Sequence, residues 1–173
     1  MEPLKVIVTG PVGAGKSTLI RTLSETEVVD TDAIASENIG KPTTTVALDH
    51  GTLHVGEHLI HLFGTPGQDR FDFMWEILAE GALGILLMVR ADRPDTLPAA
   101  RNILDLIVSR SPVPYVVGVT HLDQPKVWQP EEIALFLGTS LEHVVGFDPR
   151  KPEEATRPLE RLLELIGTEE QGG

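Results

Sequence analysis

Between an apolar, β-branched run and an amphipathic one, the chain carries Gly10-Pro11-Val12-Gly13-Ala14-Gly15-Lys16-Ser17. No other segment constrains the fold as much. Leu4-Lys5-Val6-Ile7-Val8-Thr9 has the length and composition of a strand, and Ser17-Thr18-Leu19-Ile20-Arg21-Thr22-Leu23 starts a helix with apolar residues at helical spacing. A glycine turn between strand and helix lets backbone N–H groups face an anion, and the helix start adds partial positive charge. The pattern G-x-x-x-x-G-K-[ST] in that context belongs to a loop that cradles a phosphate chain. Lys16 then reaches the terminal phosphates, the Ser17 hydroxyl ligates Mg²⁺, and Gly13, Ala14, Gly15 and Thr18 complete the cradle.

The remaining apolar runs say what surrounds this loop. Strands are expected at 4–9, 45–50, 57–63, 82–89, 114–119 and 143–147, and helices at 16–25, 71–80, 95–110, 130–137 and 157–166. From residue 57 onward strands and helices alternate, which implies a parallel sheet with helices on both faces. Gly84–Val89 and Tyr115–Val119 are continuously apolar, as doubly covered strands are. The segments 45–50 and 57–63 flank a short polar stretch containing Gly51 and Gly56, which reads as a hairpin and puts one antiparallel strand at the edge. The expected fold is α/β: a three-layer sandwich on an about six-stranded, mostly parallel sheet, one domain over 1–166 with a flexible tail at 167–173. Residues 26–44 lack periodicity, and a long loop in a compact domain is commonly functional.

Charge and composition exclude several roles. Against 14 Lys and Arg stand 26 Asp and Glu, a net charge of −12, which disfavours nucleic acid or an anionic membrane surface as partner. With no cysteine, disulfides, thiolate metal sites and lipidated thiols are out. The longest apolar run, 82–89, is too short to span a bilayer, and residues 1–5 enter a strand without a leader, so a cytoplasmic protein without a membrane anchor is expected.

Three strand ends carry polar sequence: the glycine loop, Gly64-Thr65-Pro66-Gly67-Gln68, and Thr120-His121-Leu122-Asp123. In order and spacing they resemble the phosphate loop, second switch and base-reading element of Ras-like small GTPases, over about residues 4–166. Thr43-Thr44-Thr45 resembles the first switch. The phrases Thr43–Asp49 and Leu62–Gln68 are most similar to bacterial members: the MglA polarity switch and the GTP-binding proteins of actinobacterial conservons. The resemblance implies a P-loop NTPase that binds GTP and GDP with Mg²⁺ and hydrolyses GTP slowly. It further implies a switch in signalling that works with a roadblock-type regulator. It implies roles too: Gly67 senses the γ-phosphate, Gln68 orients the attacking water, Thr45 (preferred over its neighbours) ligates Mg²⁺ beside Ser17, and Thr120, His121 and Asp123 hold guanine.

The chain departs from that family at several points. Gly64 stands where a Mg²⁺-supporting aspartate is usual, and Thr120-His121 replaces Asn-Lys. The loop that would read guanine O6 falls near Asp148-Pro149-Arg150, where Pro149 has no N–H, and Val12 sits at a position that is usually glycine. No residue reads as an arginine finger: Arg70 reads as a helix-start residue, Arg90 as a structural ion-pair partner and Lys41 as a loop lysine. Phe71, Met74, Trp75 and Leu78 share a helix face, read as core; Phe73 and Ile77 lie off that stripe and read either as a widened apolar face or as a partner surface; His50, His54, His58 and His61 read as surface and cross-strand packing residues of the hairpin. Two other functions fit the glycine loop. One is a small-molecule kinase using an acid in Asp30-Thr31-Asp32; the other is a nucleotide-dependent interaction module without hydrolysis.

Overall fold

The computed structural model describes residues 3–11, 13–25, 50–65, 80–110 and 113–172. Strand β1 (Leu4–Thr9) leads through the glycine loop into α1 (Lys16–Leu23). Strands β2 (His50–Val55) and β3 (His58–Gly64) form a hairpin, and β4 (Gly84–Arg90), β5 (Tyr115–Thr120) and β6 (Val144–Gly146) follow. The later helices are α2 (Leu97–Arg110), α3 (Pro130–Leu137), α4 (Pro152–Ala155) and α5 (Arg157–Gly172). The strands make one sheet in the order β2-β3-β1-β4-β5-β6; β2 runs antiparallel to β3 at the edge and every other pair is parallel. The predicted mostly parallel sheet with one antiparallel edge strand is therefore found.

Alternation along the strands feeds two cores. Val6, Val8, Ile60, Leu62, Leu86 and Met88 point to one face, where Leu19 and Ile20 of α1 and Leu159 and Leu162 of α5 cover them. Leu87, Val89, Val117 and Val119 point to the other, under Leu97, Ala100 and Leu104 of α2 and Ile133, Ala134 and Leu137 of α3. Strand β4 is buried from Gly84 through Val89, so its side chains need no polar face. Helix α3 starts with a capping box between Gln129 and Glu132 and ends at Gly138 in the left-handed conformation. Among the described residues no helix is long and apolar enough to cross a membrane.

Two boundaries differ from expectation. Among the described residues the first hairpin strand is His50–Val55, so it runs past the expected end at 50; residues 45–49 lie outside the described residues. Gly51 is consequently a strand residue, and the turn is Gly56-Glu57 alone, with Gly56 at φ +62°. Packing explains the glycine at 51: a Cβ there would lie 2.8 Å from Ser24 Cβ and 3.0 Å from Ile20 Cγ2, at the end of α1. Glycine in a strand marks a close approach here rather than a turn. At the other end, α5 continues through Gly172 where a tail from 167 is expected. Gly167 has open space about it, so glycine does not interrupt the helix sterically.

The close approach at Gly51 generates a stability prediction. Gly51→Val should lower unfolding stability by about 1–3 kcal/mol through overpacking against α1, read as a shift of the urea midpoint. A midpoint equal to that of the parent protein would contradict the contact.

Candidate functional site

All five parallel strands end on one side of the sheet, and the loops leaving them converge there. The glycine loop owes its path to its glycines. A Cβ on Gly10 would stand 2.2 Å from the Met88 carbonyl oxygen, so no side chain fits between β1 and β4 at that point. Gly13 and Gly15 take φ values of +83° and +103°, and Gly15 caps α1 without a side-chain hydrogen bond. Lys16 folds back, its Nζ donating to the Gly10 carbonyl. Ser17 and Thr18 occupy the exposed first turn of α1. This arrangement fits a phosphate chain: positive-φ glycines, an ammonium and a helix start share one small volume. The Ser17 hydroxyl is a hard oxygen donor of the type Mg²⁺ takes.

The loop does not stand alone. Thr65 lies beside it, with its N–H on the Val8 carbonyl at 3.0 Å and its hydroxyl donating to Thr9 Oγ1 at 3.0 Å. Gly64, which ends β3 just before Thr65, offers no side-chain ligand. From β5, fully buried Thr120 donates its hydroxyl to the Ala14 carbonyl at 2.9 Å, with the Val89 carbonyl at 3.2 Å. His121 Nδ1 is the third neighbour of that oxygen, at 2.8 Å. The backbone of His121 is left-handed at φ 61°. Arg90, at the end of β4, clasps Asp92 through Nε and Nη2 at 2.9 and 2.8 Å and reaches the Gly13 carbonyl through Nη1 at 3.4 Å. The guanidinium beside Asp92 holds that carboxyl below the usual range.

A cleft of about 580 Å³ opens from Gly13, Gly15 and Thr18 past His121 and Asp123 to the loop Asp148-Pro149-Arg150. Buried Phe147 anchors that loop; a Cβ on Gly118 of β5 would lie 2.6 Å from its ring, so the ring rests directly on the strand. Asp148 accepts from Arg150 Nε at 2.9 Å and Nη2 at 2.8 Å, and Nη2 also reaches Asp123 Oδ2 at 3.3 Å. The Arg150 guanidinium and backbone N–H draw the Asp148 carboxyl down to about 2, against its partial burial. The same bond raises the guanidinium further above its ordinary value.

Gly13, Ala14, Gly15, Lys16, Ser17, Thr18, Thr120, His121 and Asp123 therefore gather around one cleft and its loop. Thr45, Gly67 and Gln68 lie outside the described residues, as do Val12, Asp30, Asp32, Lys41, Arg70 and the helix face of Phe71, Met74, Trp75 and Leu78. The reading of Arg90 as an ion-pair partner leaves out its reach to the loop, and the sequence reading also leaves out the Asp148–Arg150 clasp. Both clasps join acid and base two residues apart just after a strand, a pattern visible in the sequence. In the hairpin, His50 and His61 share a face with Phe63, the His50 ring 5.3 and 4.6 Å from the other two, while His54 meets Glu25.

Comparison with known proteins adds three findings. The family described as conserved hypothetical ATP binding protein matches residues 26–171, a span that begins beyond the glycine loop. An uncharacterized protein of Methanocaldococcus jannaschii is 32% identical over 125 residues, which cover 70% of this chain and 72% of that protein. The structure of the Arl6 (BBS3) small GTPase of Trypanosoma brucei, with a bound nucleotide analogue, superposes with a TM-score of 0.73 at 16% identity. That superposition covers 96% of this chain and 99% of the other, and shows that the two share a fold.

Two expectations follow from the geometry. Thr120→Val should cost about 1–3 kcal/mol, because it removes a donor from buried carbonyls, whereas Thr120→Ser should retain most of the stability; chemical denaturation of both variants checks this. Asp148 has a folded-state pKa of about 2, below the ordinary carboxylate value, so its stabilising share is present above about pH 4 and lost as pH falls through about 2. Asp148→Asn should flatten the acid limb of the stability profile over that window. An unchanged limb would refute the clasp.

Proposed function

We propose that this chain, which belongs to the family of conserved hypothetical ATP-binding proteins, is a P-loop nucleotide switch that binds GTP and GDP and hydrolyses GTP slowly. Nucleotide binding has two separate supports, because the glycine loop lies upstream of the span that matches the family. The choice of guanine rests on one observation: Asp123 lines the far end of the cleft that starts at the glycine loop. A carboxylate there accepts from the N1–H and N2–H of guanine, and adenine offers it neither hydrogen.

In this reading Lys16 and the loop amides balance charge on the phosphates. Ser17 and the first-switch Thr45 would hold Mg²⁺, which would supply charge neutralisation on the phosphate chain. Gly64 contributes no carboxylate, so Ser17 and Thr45 are the side chains that would hold Mg²⁺. Gln68 orients the attacking water and Gly67 reads the γ-phosphate. Catalysis is then positioning and electrostatics alone, and fast turnover calls for a cation from a regulator. A roadblock-type protein is the regulator that the bacterial resemblance suggests. Thr45, Gly67 and Gln68 lie outside the described residues, so hydrolysis rests on the sequence motifs.

A second reading, ATP as ligand, has its own observations: the family's description, and Pro149, which has no N–H for guanine O6. Displacement of a fluorescent nucleotide by GDP and by ADP, with Mg²⁺, in the parent protein and in Asp123→Ala, decides between them. The expected outcome is preference for GDP by about a hundredfold or more, since the wrong base leaves site polar groups unpaired, and its loss in the variant. Equal binding or ADP preference would overturn the guanine reading.

A further inference from the structure

At the outer wall of the cleft a single guanidinium links two carboxylates. Arg150 Nε donates to Asp148 Oδ1, and Nη2 divides its two hydrogens between Asp148 Oδ2 and Asp123 Oδ2. A guanidinium has five N–H donors, so the two on Nη1 remain. Among the described residues they make no hydrogen bond, and the side chain is 66% exposed on the cleft. The backbone of this loop offers little to a ligand: Pro149 has no N–H, and the Arg150 N–H donates to Asp148 Oδ1 at 2.9 Å.

Guanine carries its O6 acceptor on the carbon next to N1. The Asp123 oxygen that takes the N1–H has O6 beside it; when that oxygen is Oδ2, the guanidinium already bonded to it stands next to O6. We propose that Arg150 determines base specificity: its free N–H group donates to guanine O6 while Asp123 accepts from N1 and N2, and Asp148 is the positioning residue that fixes the guanidinium plane. This rests on the guanine reading above. The pair also rejects adenine. The amine at position 6 would face a donor and the unprotonated N1 would face a carboxylate, two repulsive contacts from one base exchange. A charged side chain thus performs what a backbone amide cannot do at Pro149.

The test measures affinities of GDP, 6-thio-GDP and ADP, with Mg²⁺, for the full chain and for Arg150→Ala and Arg150→Lys. The sulfur of 6-thio-GDP is a poor acceptor, while N1–H and N2–H are retained. The parent protein should prefer GDP to 6-thio-GDP. Arg150→Ala should weaken GDP by about tenfold or more, the scale of one charge-assisted hydrogen bond, with much less effect on 6-thio-GDP, so that the two affinities converge. Arg150→Lys, with one movable donor group, should fall between. Unchanged GDP affinity in Arg150→Ala would make Arg150 a surface residue, and tighter GDP binding would make it a competitor for Asp123; either result overturns the proposal while leaving the guanine reading standing. A parent protein that does not prefer GDP to ADP overturns the guanine reading itself, and this proposal with it.

Discussion

Thr120 gives its one hydroxyl proton to the Ala14 carbonyl, and the phosphate loop is tied to the sheet through that bond. The loop otherwise meets β4 and β5 mainly through glycines, which fix a path but supply no side-chain contacts. The bond joins residues 106 positions apart in the chain. It sits where solvent does not compete, so an unmade bond there leaves a buried carbonyl unsatisfied. The neighbouring Val89 carbonyl and His121 Nδ1 complete the set around the same oxygen. One small polar side chain thereby joins the ends of β4 and β5, the glycine loop and the start of the His121–Asp123 segment.

The electrostatics of the cleft are local. A chain with net charge −12 offers an anionic ligand no favourable long-range field, so attraction must come from groups at contact distance. Two of the nearest cations are clasped by acids: Arg90 by Asp92 and Arg150 by Asp148. These clasps cancel much of the charge but fix the donors in direction. What remains is an array of oriented N–H groups around a glycine loop, better suited to recognising the shape of a ligand than to drawing in anions from a distance.

Much of this is legible in the sequence, for a physical reason. The phosphate loop is defined by consecutive residues between a strand and a helix, and β4 and β5 by unbroken apolar runs. Local pattern and tertiary role therefore coincide at Lys16, Ser17 and Leu86–Val89. The hairpin is less legible. Gly51 looks like a turn residue in sequence, and only the end of α1 lying against it shows why a strand needs glycine there. The base end of the cleft is half legible. Asp123 follows from its place after an apolar strand, but the link from Arg150 to Asp123 joins two loops 27 positions apart and has no local signature. Thr45, Gly67 and Gln68 are read from motif alone, and they lie outside the described residues.

Phe147 rests on the bare backbone of Gly118, and the loop that carries Asp148 and Arg150 begins at that ring. The height of the cleft wall is thus set by the absence of a methyl group in the middle of a buried strand. A search for variants with altered ligand choice would usually be confined to residues that line the cleft. Here it should extend to position 118, since even alanine there would have to lift the ring and carry the charged loop with it. The position of the loop that walls the cleft is partly a property of the core.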